Sequence, residues 1–204
     1  MSTKHSFSGL VVGFELEFIS SELDRVHGSS DLLRGRDVDL GFGFLGEDGG
    51  CYELRTKPVD GRAANGVLID SLHFLKRHKA RTRHNDGLHI NISCSDKKKA
   101  RSVNPIIVWD RCRVHFWVRF FGRRRSIYCK FPSRMEAWSI FDFLTRVPSG
   151  SKDVAVNFSN FDPYGQTKGS RIEFRYPGGK DYHRKPKMVS RCLRDAMQAV
   201  VDSF

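Results

Sequence analysis

Four short segments of this 204-residue chain alternate, residue by residue, between an apolar side chain and a chemically rich one. In residues 9–20, GLVVGFELEFIS, Phe14, Leu16 and Phe18 alternate with Gly13, Glu15 and Glu17. In 51–59, CYELRTKPV, Tyr52 and Leu54 oppose Glu53 and Arg55, and Pro58 ends or edges the run. In 86–93, DGLHINIS, Leu88, Ile90 and Ile92 oppose His89, Asn91 and Ser93. In 170–176, SRIEFRY, Ile172, Phe174 and Tyr176 oppose Arg171, Glu173 and Arg175. A period of two is that of an extended strand with two unlike faces. A sheet built from such strands must cover its apolar face and can leave the other open, which is the habit of antiparallel sheets.

The cover is also written in the sequence. Residues 62–79 carry Val67, Leu68, Leu72, Phe74 and Leu75 at helical spacing, and 186–203 carry Val189, Leu193, Met197 and Val200. Residues 133–147 read as a helix, with Ser133 as N-cap and Glu136 three residues on. Residues 104–122 are open between a helix starting after Pro105 and partial strand, because they are rich in β-branched and aromatic side chains. Residues 153–161 read as a strand, 21–46 as a long connection with weak strands, and 164–171 as a surface loop. The expectation is one α+β domain over 1–204: a mostly antiparallel sheet, helices on one face and a functional cleft on the other.

Composition agrees with a packed domain. Hydrophobic residues make up 39% and aromatics 12%, enough to fill a core. Lys and Arg outnumber Asp and Glu by 35 to 23, and a net charge of +12 favours anionic partners, from nucleotides to nucleic acids and acidic peptides. Five Cys, an odd number with no CxxC, point to reduced thiols and a cytoplasmic setting. No secretory h-region and no apolar run of about 18 residues occur, so no membrane partner is expected.

The polar faces carry the chemistry. Alternate side chains on one strand stand about 7 Å apart and neighbouring strands about 5 Å apart. If the four strands are neighbours, Glu15, Glu17, Glu53 and Glu173 converge on one patch with His89, Asn91, Arg55, Arg171 and Arg175 around them. Carboxylates that close repel one another unless a cation sits between them. Hard cations such as Mg²⁺ take oxygen ligands and bridge them to phosphates, and arginine forks bind phosphate oxygens. The set suits a Mg–nucleotide site better than zinc, which prefers Cys and His at tighter spacing. Neither a P-loop nor a G-x-S-x-G elbow is present.

The segments GFELEF, DGGCYELRTKP, DGLHINIS and VNFSNF…RIEFRYPGG, in this order, resemble the motifs of the amidoligase family, carboxylate–amine ligases related to glutamine synthetase and glutamate–cysteine ligase. The resemblance covers roughly residues 10–60, 85–95 and 153–180. It implies a curved antiparallel sheet of the glutamine-synthetase-like catalytic kind, with metals in its concave face. It also implies ATP and Mg²⁺ or Mn²⁺ as cofactors, and a reaction joining a carboxylate to an amine through an acyl phosphate. By position, Glu15, Glu17, Glu53 and Glu173 would be metal ligands. His89 and Asn91 would sit beside the nucleotide, and Arg171 and Arg175 would hold phosphate or acyl phosphate. Glu53 is also the candidate base for the amine proton. The acid and amine could belong to a peptide, a protein or a modified nucleic acid.

One basic aromatic segment, 104–131, lies outside these motifs. Its stretch RCRVHFWVRFFGRRRSIYCKF, with HFLKRHKARTRH at 73–84, has the arginine–aromatic mixture that stacks bases and tracks phosphates. The alternative function is therefore nucleic-acid binding on a ligase-like scaffold without turnover. The simpler reading of the segment is a core helix, with Phe116, Trp117 and Phe120 inward and its arginines solvated.

Overall fold

A computed structural model describes residues 7–27, 37–48, 50–126, 129, 154–162 and 170–204. Among them, eight strands form one sheet in the order β2-β3-β4-β1-β6-β8-β7, with β5 beside β1, and every pairing is antiparallel. The strands are β1 (Leu10–Phe18), β2 (Val38–Asp39), β3 (Gly43–Asp48), β4 (Cys51–Thr56), β5 (Val59–Asp60), β6 (Leu88–Cys94), β7 (Val156–Asn157) and β8 (Ile172–Phe174). The helices are α1 (Ser21–His27), α2 (Ala64–Arg77), α3 (Lys97–Ser102), α4 (Pro105–Arg111), α5 (Val114–Phe120) and α6 (Pro186–Val201). The architecture is a mixed α/β fold with an open antiparallel sheet and helices.

Register turns the alternation of each strand into rows across the sheet. Leu45, Leu54, Leu16 and Leu88 stand side by side, and Phe14, Ile90, Phe174 and Val156 form the next apolar row. All of these are buried. α2 lies against β1 and β4 and also against α6, and α6 in turn packs on α4. Leu68, Leu72 and Leu75 of α2 and Val189, Leu193 and Val200 of α6 are removed from water. Each such side chain contributes about 1.5–3 kcal/mol.

Several boundaries differ from the sequence reading. The stretch 21–46 carries the expected strands, as β2 and the start of β3, but it also opens with a helix, α1, that the sequence reading did not include. The signal was there, since Ser20 Oγ accepts from the Leu23 amide at 3.2 Å, and Glu22 and Asp24 complement the helix dipole. The strand expected over 51–59 breaks at Lys57–Pro58 and resumes as β5 against the same neighbour, β1. β7 stops early because the Ser159 amide turns back to Asn157 Oδ1 at 2.9 Å. In 104–122 the helical alternative holds. Asn104 Oδ1 accepts from the amides of Ile106 and Ile107, Pro105 occupies the first turn, and Arg113, at φ 55°, separates α4 from α5. The helix expected over 133–147 and the loop before Ser170 lie outside the described residues.

The basic aromatic segment is a correction in detail. Trp117 is buried, and its indole N–H donates to Asp195 at 3.1 Å. Phe116 and Phe120, expected inside, are exposed. Arg123, expected among the solvated arginines, is 1% exposed. Among the described residues no helix is long and apolar enough to cross a membrane.

Candidate functional site

The face of the sheet opposite α2 and α6 carries the polar rows. One row runs Arg55–Glu15–His89, the next along β1 runs Gly46–Glu53–Glu17, and on the other side Gly13–Asn91–Glu173–Asn157 are paired. β1 supplies two carboxylates, and each strand beside it brings one more group into reach. β1 can do this because its apolar residues fall at even positions from Leu10 to Phe18, leaving Glu15 and Glu17 on the open face.

His89 is the centre of the cluster. Its Nδ1 lies 3.0 Å from Glu15 and 3.3 Å from Glu173, and its Nε2 lies 3.7 Å from Glu17. Asn91 donates to Glu15 at 3.0 Å and accepts from Arg171 Nε at 3.1 Å. Glu173 is gripped from both sides, by Arg175 at 2.8 Å and by the Asn157 amide at 2.9 Å. Glu17 accepts from the Gly87 backbone amide at 2.6 Å. Gly87 is required there, because a Cβ would lie 2.6 Å from His89 Nε2. Glu53 is flanked by Arg55 at 3.3 Å, and Arg55 also pairs with Asp37.

The electrostatics differ from one carboxylate to the next. Burial would raise the Glu15 pKa, but the His89 and Asn91 hydrogen bonds and the Arg171 charge outweigh it, so Glu15 sits below its usual value. Glu53 is pushed up to about 7 by burial and by repulsion from Glu15, Asp48 and Glu17, against a pull from Arg55. Burial is the larger cause and the neighbouring carboxylates add to it, so negative charge is crowded on this face in spite of Arg55, an arrangement that suits a divalent cation. Among the described residues, two groups have donor atoms within 4.8 Å of one another: Glu15, His89 and Glu173, and separately Glu17, Asp48 and Glu53. Both offer mostly carboxylate oxygens, as a hard cation requires.

Two cavities flank the acidic rows. One, of about 620 Å³, is lined by Glu17, Asp48, Cys51, Asp86, His89 and Arg175 together with Arg83, His84, Asn85 and Arg123. The other, of about 290 Å³, is lined by Gly13, Glu15, Arg55, Pro58, Asn91, Ser93 and Arg171 among others. Glu15 faces one and Glu17 the other. Both are of a size that small ligands occupy.

The structure therefore brings together all eight of Glu15, Glu17, Glu53, His89, Asn91, Arg171, Glu173 and Arg175. Three further residues were missed. Asp48 closes β3 before the turn into β4, and only the β3–β4 pairing puts it near Glu53. Asn157 was visible in VNF, but its pairing opposite Glu173 was not. Arg123 was hidden in a run of three arginines that reads as surface charge.

No family model matches the chain, and no curated protein matches it. Among solved structures it is similar to a glutamine synthetase from Plasmodium falciparum, determined by cryo-electron microscopy, at 12% identity and a TM-score of 0.46. The likeness covers 96% of this chain and 52% of that one, so this chain spans about half the length of its neighbour. At that score the likeness adds no weight to the chemistry, which rests on the side chains described above.

Proposed function

We propose that this chain is an ATP- and Mg²⁺-dependent ligase that joins a carboxylate to an amine, on a sheet of the glutamine-synthetase-like, amidoligase kind. The observation that supports this most is the pair of oxygen-rich groups, Glu15–His89–Glu173 and Glu17–Asp48–Glu53, on one sheet face between two cavities and beside three arginines. A carboxylate does not react with an amine unaided. Transfer of the γ-phosphoryl group of ATP to a carboxylate oxygen gives an acyl phosphate and ADP. The amine nitrogen then attacks the acyl carbon, phosphate leaves with the C–O bond electrons, and the nitrogen loses a proton.

Each step has residues suited to it. Metal ions held by the two groups would neutralise the triphosphate and align it for transfer. Asn157 and Arg175 keep Glu173 oriented in the way outer hydrogen bonds fix metal ligands. Arg171 and Arg175, at opposite ends of the cluster, would meet charge developing on the transferred group. Glu53, in the Glu17–Asp48–Glu53 group, would take the amine proton. The test is calorimetric titration of ATP into the protein with Mg²⁺ and with EDTA. Binding that requires Mg²⁺, and is lost in Glu17→Gln and Glu173→Gln while the fold is kept, is expected. Equal binding in EDTA would overturn the reading.

A further inference from the structure

The basic aromatic segment takes no part in the chemistry above, and two of its rings stand in water. Phe116 is 41% exposed and Phe120 36%, two of the four large hydrophobic side chains so exposed among the described residues. They lie one turn apart on α5, with ring planes inclined by 18° and centroids 6.3 Å apart. The buried Trp117 meets both rings nearly at right angles, at 80° and 82°. Each ring also carries a cation. The Arg113 guanidinium lies 4.7 Å from the centroid of Phe116, and the Lys185 ammonium lies 5.5 Å from that of Phe120. Single exposed hydrophobic residues are ordinary, but a pair on one helical face among cations marks a contact surface.

The charge around the rings is mainly positive. Beyond the end of α5, the exposed Arg119 and Arg124 line a cavity of about 390 Å³ with His84, Asn85, Gly122 and Ser126. Asp195 is already engaged: it accepts from the Trp117 indole at 3.1 Å and lies 3.6 Å from Arg113, which ties α5 to α6. Arg191, one turn before Asp195 on α6, is exposed on the same side of that helix. A partner for this face needs negative charge and flat faces that stack on rings. Unpaired nucleotides carry both at every residue. An acidic peptide offers charge without rings, and a lipid headgroup offers charge without a flat face.

We propose that α5 and the turn after it form a binding surface for a single-stranded nucleic acid, in which Phe116 and Phe120 stack bases and Arg113, Arg119, Arg124 and Lys185 hold phosphates. Aromatic rings set among arginines bind single strands in this way with little regard to sequence. His84 and Asn85 line the basic cavity and also the larger cavity that reaches Glu17 and His89. A strand lying along α5 would therefore present a nucleotide to the acidic rows across the His84–Asn85 edge. That this nucleotide bears the carboxylate or the amine being joined rests on the ligase reading; the binding surface itself does not.

The test uses the full chain in EDTA without ATP, and fluorescence anisotropy of a labelled oligouridine of about 12 nucleotides, with an RNA duplex of the same length for comparison. Saturable binding of the single strand, tighter than that of the duplex, is expected. Phe116→Leu with Phe120→Leu should weaken it about tenfold or more and leave its salt dependence in place. Arg119→Gln with Arg124→Gln should weaken it and lower the slope of log affinity against log salt by about 1.4. Arg62→Gln with Lys98→Gln removes the same charge elsewhere and should change neither. Should the phenylalanine variant fail to fold, photocrosslinking of a thiouridine-substituted strand to the unmodified protein gives the answer, with crosslinks expected within residues 113–124. Crosslinks confined to other peptides, binding indifferent to the phenylalanine pair, or a duplex bound as tightly as the single strand would overturn the surface. So would binding of phosphatidylserine vesicles or polyglutamate without binding of the strand, which would assign this face to a membrane or an acidic protein. Strand binding without Mg–ATP binding would sink the ligase reading and leave the surface standing. The reverse result would remove only the surface.

Discussion

Glu53→Gln should make the metal-free protein more stable, and by an amount that depends on pH. Glu53 moves from an ordinary value of 4.5 to about 7 on folding, because it is buried and faces Glu15, Asp48 and Glu17. Its folded value lies above its unfolded one, so folding takes up a proton between those limits. The stability from this group is complete below about pH 4.5 and is lost as pH rises through about 7. A shift of about 2.5 pH units corresponds to roughly 3 kcal/mol at full ionisation, at about 1.4 kcal/mol per unit. Glutamine has no charge to force on its neighbours, although it gives up the half-exposed Arg55 contact, which is worth under about 1 kcal/mol. The net expectation is a gain of about 2–3 kcal/mol near pH 8, or about 4–12 °C in melting temperature for a chain of this size. The gain should shrink toward nothing near pH 4. The assay is thermal unfolding of both proteins in EDTA across that range, repeated with Mg²⁺, which should stabilise the wild type more than the variant. A melting difference that does not change with pH would refute the claim that crowded negative charge strains this site.

Three other outcomes follow from the geometry. Gly87→Ala places a methyl 2.6 Å from His89 Nε2, so it should cost about 1–3 kcal/mol and weaken Mg²⁺ binding, both readable by melting curves with and without the metal. Asn104→Ala removes the cap from α4 and should destabilise by about 0.5–2 kcal/mol in denaturant titration without altering ligand binding. Burial raises the thiols of Cys51, Cys94 and Cys129 to about 12, 11 and 11, so a disulfide reagent at neutral pH should label them slowly in the folded protein and at once in denaturant.

What could be read from the sequence was what is local. The alternation in GFELEF and RIEFRY is a property of neighbouring residues, so it named Glu15, Glu17 and Glu173 without any knowledge of pairing. Register is not local. Nothing in DGLHINIS says that His89 stands opposite Glu15, or that Asn91 stands opposite Glu173, and those pairings make the cluster. Asp48 and Asn157 were missed for that reason. Arg123 was missed for another: beside Arg124 and Arg125 it has the composition of a solvated run, and the carbonyls of Asp86 and Pro177, brought in from two distant parts of the chain, help make its burial tolerable. Phe116 and Phe120 err the other way, since aromatic residues at helical spacing read as core whether or not another element covers them.

The position of β1 at the middle of the sheet has a consequence for biosynthesis. Its two glutamates emerge from the ribosome long before Arg175 and Asn157, the groups that grip Glu173 and complete the cluster. A nascent chain that has paired β1 with β4 already confronts Glu17 with Glu53, with no closing strand to balance them. On the metal-dependent reading proposed above, such an intermediate would gain from a divalent ion. Magnesium in the translation medium would then act as an assembly factor, speeding the docking of β6 and β8 in a chain still being made, and refolding in chelator should be slower for that reason alone.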